Sequence, residues 1–451
     1  MEKWFKRIFA AGGIALLAVA LLWGVSKLVG ASGAERDALA VMSKPVALSG
    51  KNAYAAVWLV DHPVPEAERE SILAEDVRRY VARRPTDVDS HAIAPAFRTS
   101  AESRYPTDRP DKAARNRLCD RNESCLDKVR SDLAGYAQLV KTHAAWFARA
   151  ENMTRADHIR SPFPARLDVP MPPFVSSHAP ATALAVRFAE GDQQGAIAAT
   201  CRVMADWRRL GASTDMLVAW AVADVQGGEG YGRLLADMLA EMPKDEPMPT
   251  ECAKLLSAVQ PNEVSMCHAM RGEFRFMSEV IDTMTLDLQR QKGVMQSVIY
   301  DGDMTRAMAA VPLAPYCSAD ADAAFEADKP LPSATYAGMF RLQCVSNYVG
   351  CVLANISSSS FDTYGQRHRD TLAAKRLLAA LPWWRQQPDA NSNPAAVLKR
   401  LPDSYRSTAH PVALNAQNNA LVMTMIGPNF EKKAWVMLLP GSKARAQPSQ
   451  N

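Results

Sequence analysis

Residues 12–30, GGIALLAVALLWGVSKLVG, follow directly on MEKWFKRIFAA, and no other feature of the chain limits its fold so strongly. From Ile8 to Val25 there is no charged side chain. That is roughly the eighteen residues a helix needs to cross a hydrocarbon core at about 1.5 Å per residue. Ser26 and Lys27 interrupt the run, and Leu28 and Val29 extend it. Trp4 and Trp23 suit the two interfacial belts, and Lys27 can lift its ammonium toward water. A lipid-embedded anchor is therefore expected over 8–29, behind a cytoplasmic tail, 1–7, held by Lys3, Lys6 and Arg7. Lys27, Arg36 and Lys44 on the far side reduce that charge asymmetry.

The rival is a cleaved signal peptide, for which the basic start and Val29-Gly30-Ala31 speak. Its apolar stretch would exceed the usual length of roughly 7–15 residues. No cysteine precedes Cys119, so a lipid-attachment cysteine is excluded. The later ALVMTMIG is much too short to span, which leaves about 420 residues outside, in a bacterium in the periplasm.

An oxidising exterior gives the eight cysteines a physical role. Cys119 and Cys125 flank DRNES, a turn-forming pentapeptide, and a turn lets them close; in a continuous helix they would stand about 9 Å apart. Cys344 and Cys351 fall within LQCVSNYVGCVLANI, which reads as one helix. At that spacing they would lie about 10 Å apart, so each is expected to bond elsewhere, with Cys201, Cys252, Cys267 or Cys317.

Hydrophobic periodicity predicts a mainly α fold: an N-terminal transmembrane helix, stacked antiparallel helix hairpins (solenoid-like), and a small C-terminal antiparallel β-meander. Residues 30–52 read as a stalk and 53–160 as an N-terminal helical region. Five prolines in SPFPARLDVPMPPF (161–174) mark an internal boundary. Over 175–390 a helical-hairpin body is expected. Ile197, Cys201 and Met204 form one stripe, Leu217, Trp220 and Val225 another, and Leu234, Leu235, Met238 and Leu239 a third. Gly227 and Gly228 are expected to end a helix there. The meander covers 391–440, and 441–451 is expected to be a disordered tail.

CDRNESCLDKVR, DHIRSPFP, AEGDQQGAIAATCRVMADWRRLG and LKRLPDSYRSTAHPVAL together resemble a group of membrane-anchored envelope proteins of Gram-negative bacteria with no assigned activity. The resemblance implies a helical periplasmic body and supports a bridge between Cys119 and Cys125. It carries no catalytic residue with it.

Motifs that could carry chemistry fail on spacing. The glycines of GGEGYG, at 227, 228, 230 and 232, make neither a dinucleotide loop nor a P-loop and read as a tight turn between helices. In DADAAFEAD, Asp320 and Asp322 fit a calcium loop, but Ala324, Phe325 and Leu331 stand where a ligand, a glycine and a glutamate are required. Cys267 and His268, adjacent on a helix, point about 100° apart and cannot form a dyad. The eight histidines show no metal-binding spacing, so no metal and no cofactor is expected. Glu279 and Asp282 share a face with Arg271 and Arg275 and read as a salt-bridged solvent surface. The net charge of +4 is spread without a basic run, which gives no support to nucleic-acid binding. Trp383 and Trp384 in LPWWRQQP are the remaining candidates, as a core cap or a partner surface. Catalytic residues are thus not assigned. The expectation is a non-enzymatic, inner-membrane-anchored periplasmic protein that contacts lipid through 8–29 and an envelope protein through its body, in a scaffold or toxin-immunity role. The alternative is an envelope hydrolase, acting on lipid or cell wall, whose site is assembled from distant segments.

Overall fold

In the computed structural model the apolar run forms helix α1 (Glu2–Val29). The structure describes residues 2–83, 97–121, 123–257, 259–290, 298–332, 338, 340–417, 419–428 and 434–443. Over Ala10–Val29 the helix is long and apolar enough to cross a membrane, and only 6% of its most apolar stretch is covered by the rest of the chain. Its last turns dock. The Trp23 indole N–H donates to the Val298 carbonyl at 2.6 Å, Ser26 Oγ donates to the Leu342 carbonyl at 2.6 Å, and Lys27 pairs with Asp301 at 2.7 Å. The helix is therefore fixed to the body where its polar residues begin.

The expected stalk is not a free linker. Ser32 and Glu35 make a reciprocal capping box that starts α2 (Gly33–Met42). Glu35 is buried and pairs with Arg341 at 2.7 Å, while Ala38 and Met42 join a core with Val264, Met270 and Leu313. A segment that contributes apolar side chains to a core cannot swing as a tether. The proline-rich stretch is likewise not a domain boundary. Phe163, in its middle, sits 5.3 Å from the Trp58 ring and 5.5 Å from Tyr80, and the same core cluster runs from Ala53 to Leu439. Proline prevents helix here, and the segment crosses the core as a strap.

The α-hairpins are present. Helix α3 (Pro180–Ala189) turns at Gly191, whose φ of 109° favours glycine, into α4 (Gln193–Ala212). Ile197, Cys201 and Met204 are fully buried, as their spacing predicts. Helices α5 (Leu217–Val225) and α6 (Tyr231–Glu241) follow, but Gly227 and Gly228 do not end a helix. Gln226–Gly230 form a π turn that carries one helix into the next, and all five residues are buried. The glycines serve packing. A Cβ on Gly227 would lie 2.7 Å from Arg208 Cγ on α4, and one on Gly228 2.6 Å from Thr371 Cγ2. Thr371 lies on the longest helix of the body. Helix α7 (Cys267–Arg290) and α8 (Gly302–Ala310) come before it, and then α9 (Gln343–Ser346) and that helix, α10 (Tyr348–Ala379).

All eight cysteines are paired. Cys119–Cys125, Cys201–Cys252 and Cys267–Cys317 are bridged. So is Cys344–Cys351, contrary to the expectation of separate partners. The helix is not continuous between them. At Asn347 the backbone turns to φ −137° and ψ 50°, and the Cα atoms come within 5.7 Å. Asn347 is held there by donating to and accepting from Thr305 and by accepting the Asp301 N–H.

The C-terminal meander is a three-stranded antiparallel sheet in the order β1 (Val412–Leu414), β2 (Ala420–Thr424), β3 (Ala434–Leu438). Leu421 opposes Met437 and Met423 opposes Trp435, all four buried. The expected span began earlier, at 391, but 394–399 is a short helix. Of the expected disordered tail, 441–443 are a turn whose Gly441 and Lys443 N–H groups bond back to α6, and 444–451 lie outside the described residues.

Two outcomes test this packing. Gly228→Ala should destabilise the protein by about 1–3 kcal/mol in denaturant unfolding, because Thr371 has no room to yield. Non-reducing peptide mapping should recover four linked pairs including Cys344–Cys351, with no free thiol, and Cys201→Ala should cost about 2–5 kcal/mol.

Candidate functional site

Where the strap passes the α4–α5 corner it does not close against α7. It leaves a groove of about 590 Å³, walled by Phe163, Val169, Met171, Met216, Val218 and Phe276. Its walls are stiff for local reasons. Prolines 162, 164 and 170 fix the strap, and Phe163 is locked among Tyr54, Trp58, Tyr80 and Phe97. On the other wall, Gly272 lets α7 ride directly on the corner: a Cβ there would fall 1.6 Å from the Asp215 carbonyl oxygen.

The polar groups of the groove are few and mostly engaged. Asp215, 2% exposed, receives Arg160 at 2.7 Å and Arg275 at 2.9 Å, both on Oδ2. Its other oxygen, Oδ1, is buried with no donor among the described residues. Glu279 accepts the Ala165 N–H at 3.2 Å and lies 3.9 Å from Arg275. Glu273 lines the groove without a hydrogen bond or ion pair among the described residues, and burial pushes its carboxyl up from the usual range. Apolar, preformed walls with a few converging polar groups are what a small-ligand or peptide-anchor site requires.

The strongest concentration of ionisable groups lies elsewhere, where the π turn crosses α10. Asp224 accepts from Lys375 Nζ at 2.9 Å and pairs with His368 Nδ1 at 2.9 Å; His368 Nε2 in turn is 2.9 Å from the Val264 carbonyl. Burial alone would raise Asp224, but Lys375 and His368 outweigh it and bring it down to about 2. Glu229, one turn on, accepts from the Thr371 hydroxyl at 3.1 Å, and burial and the nearby Asp370 push it up to about 7. A pocket of about 260 Å³ opens beside His368 and Thr371. Both ring nitrogens of the histidine are occupied, and no nucleophile stands against it among the described residues.

Ser407, His410 and Asp328 have the composition of a hydrolytic triad but not its geometry. His410 is fully buried, with Nδ1 2.6 Å from Asp328 and Nε2 2.8 Å from Asp370. The nitrogen that would take a proton from a nucleophile is thus held by a second carboxylate. Burial would lower His410, but its hydrogen bonds to Asp328 and Asp370 prevail and raise it. Asp370 also accepts the N–H groups of Ile426 and Gly427, so the cluster ties the meander to α10.

Of the residues singled out in the sequence, Cys119 and Cys125 form their bridge, and the loop between them packs against α3 through the Cys119 N–H and Thr182. Trp384 is 1% exposed inside the core and cannot present a partner surface; Trp383 is half-buried against it. Cys267 is bonded to Cys317, away from any role with His268. Arg275 and Glu279 do face each other, but Arg275 also reaches Asp215 and forms part of the groove. Asp215 and Glu273 were not legible as a pair: they are far apart in sequence and meet through α7. Among the described residues no cluster of metal-ligating side chains occurs. No known protein family, characterised protein or solved structure matches the chain.

The Glu229 environment fixes the sign of a pH effect. Its folded-state pKa lies above the ordinary 4.5, so its protonated form stabilises the fold at low pH, and that contribution is lost as pH rises through about 7. Glu229→Gln should match the parent near pH 4.5 and exceed it in unfolding free energy at pH 8. A stability difference independent of pH between those values would contradict the assignment.

Proposed function

We propose that this chain is a single-pass, inner-membrane-anchored protein of the bacterial periplasm whose helical body binds an envelope partner through the groove between the strap and α7. The preformed groove carries this reading: its walls are braced by proline, an aromatic cluster and a glycine-mediated helix contact, so little ordering remains to oppose binding. Exposed Met171 and Val218 extend its apolar surface to the mouth. Four disulfides suit an oxidising compartment, and α1 has the length and composition of an anchor. The catalytic alternative has less support, because His368 and His410, the histidines of the two buried charge clusters, spend both ring nitrogens on internal partners.

Two measurements in cells test the proposal. With every native thiol bridged, Ser392→Cys supplies one free thiol on the body, and a membrane-impermeant maleimide should label it in intact spheroplasts. A photo-crosslinking residue at Met171 should give a discrete adduct that disappears when Val218→Arg places a charge at the groove mouth. Labelling only after lysis, or an adduct indifferent to Val218→Arg, would refute it.

A further inference from the structure

We propose that the body makes a second contact with lipid: an uncharged apolar patch beside the end of α1 rests in the headgroup–acyl boundary of the periplasmic leaflet. The inference rests on α1 spanning the bilayer and adds where the body sits on it. Helix length fixes the depth. From Trp4 to Leu22 the helix rises about 27 Å at about 1.5 Å per residue, close to the roughly 30 Å of a hydrocarbon core. The turns that follow are already bonded to the body. Trp23 donates to the Val298 carbonyl, and Ser26 Oγ donates to the Leu342 carbonyl and lies 2.7 Å from Ser346 Oγ. Val298, Leu342 and Ser346 are therefore held where hydrocarbon gives way to headgroups.

The side chains around those atoms suit that depth. Val298, Ile299, Val345 and Tyr348 are exposed, Phe340 is fully so, and Ile356 continues the patch two turns along α10. From Leu342 to Phe361 there is no charged side chain. Of the charges bordering the patch, Arg341 reaches the buried Glu35 at 2.7 Å, Lys27 meets Asp301 at 2.7 Å and Asp303 meets Arg306 at 2.8 Å. The inner side of the same segment is filled, since Cys344, Cys351 and Ala354 cluster with Met304 and Met308. A helix face in water ordinarily carries charged or polar groups opposite its buried stripe. This one carries carbon on both sides, and an exposed apolar patch marks a protein or membrane contact. Tyr348 adds a ring with a polar end, which suits a membrane interface. The occupant is lipid and not a second copy of the chain, because α1 already places the bilayer against the patch.

The test uses the full chain in zwitterionic nanodiscs, with the fluorescent residue dansylalanine placed at Phe340 or, as a probe of α1 itself, at Leu16. A lipid bearing a nitroxide high on its acyl chain should lower Phe340 emission by about half or more, because a side chain about 5–10 Å into the boundary lies within its reach. A nitroxide near the chain end should quench Leu16. Tyr348→Glu combined with Ile356→Glu should abolish the Phe340 quenching and leave Leu16 quenched, because carboxylates are costly to bring into lipid. Both side chains are exposed, so the unfolding midpoint should hold. Quenching at Leu16 without quenching at Phe340, or Phe340 quenching indifferent to the double substitution, would overturn the lipid contact and leave the anchor standing. Absence of quenching at Leu16 would fault the anchor and this assignment with it. A dimer in detergent that the double substitution dissociates, with Phe340 unquenched in nanodiscs, would assign the patch to a second copy instead.

Discussion

A carboxylate sealed between a lysine and a histidine holds the two central helical segments of this protein together. Asp224, on the helix leading into the π turn, is tied to Lys375 and His368 on α10, and all three side chains are almost fully buried. Removing one partner from such a pair leaves an uncompensated buried charge, a loss of about 3–5 kcal/mol. Gly228 and Gly232 let α10 approach closely, since a Cβ there would meet Thr371 and Leu378. Helix α10 then distributes the consequences. Its start is braced against α8 and, through the bridged corner with α9, against the end of α1. Its middle clamps the meander through Asp370 and His410. The apolar N-terminal helix, the core and the sheet are thus referenced to one helix.

That arrangement leaves the groove on a rigid frame. The charged clusters around His368 and His410 are closed on themselves, and their energetic role is to specify how helices and sheet meet. The groove differs in kind: its walls are apolar and braced, and Arg160 and Arg275 are neutralised on the enclosed Asp215. A structural cluster tends toward mutual satisfaction, because each unmet donor or acceptor costs stability.

Part of this was legible from periodicity. The stripes Ile197–Cys201–Met204 and Leu234–Leu235–Met238–Leu239 lie in the core, and the short apolar runs near the C-terminus pair as a meander. The misreadings share one cause. Gly227–Gly228 looked like a helix end, LQCVSNYVGC looked like one helix, 30–52 looked like a tether, and SPFP looked like a boundary. In each, a local rule was overruled by a partner distant in sequence: α4 and α10 for the glycines, Thr305 and Asp301 for the Asn347 break, Arg341 for Glu35, and the aromatic cluster for Phe163. Trp384 shows the same thing, since aromatic composition alone does not say whether a ring faces core or solvent.

The sequence by itself determined the long apolar helix at the start, the mainly helical class, the bridge between Cys119 and Cys125 and the closing meander, because each depends on interactions among residues near one another in the chain. Only the tertiary structure decided the other three cysteine pairings, the π turn and the convergence of Asp215 and Glu273 on one groove. Those depend on which helices cross and how closely, and crossing is set by side-chain volume and buried charge summed over the whole core, not by any local pattern.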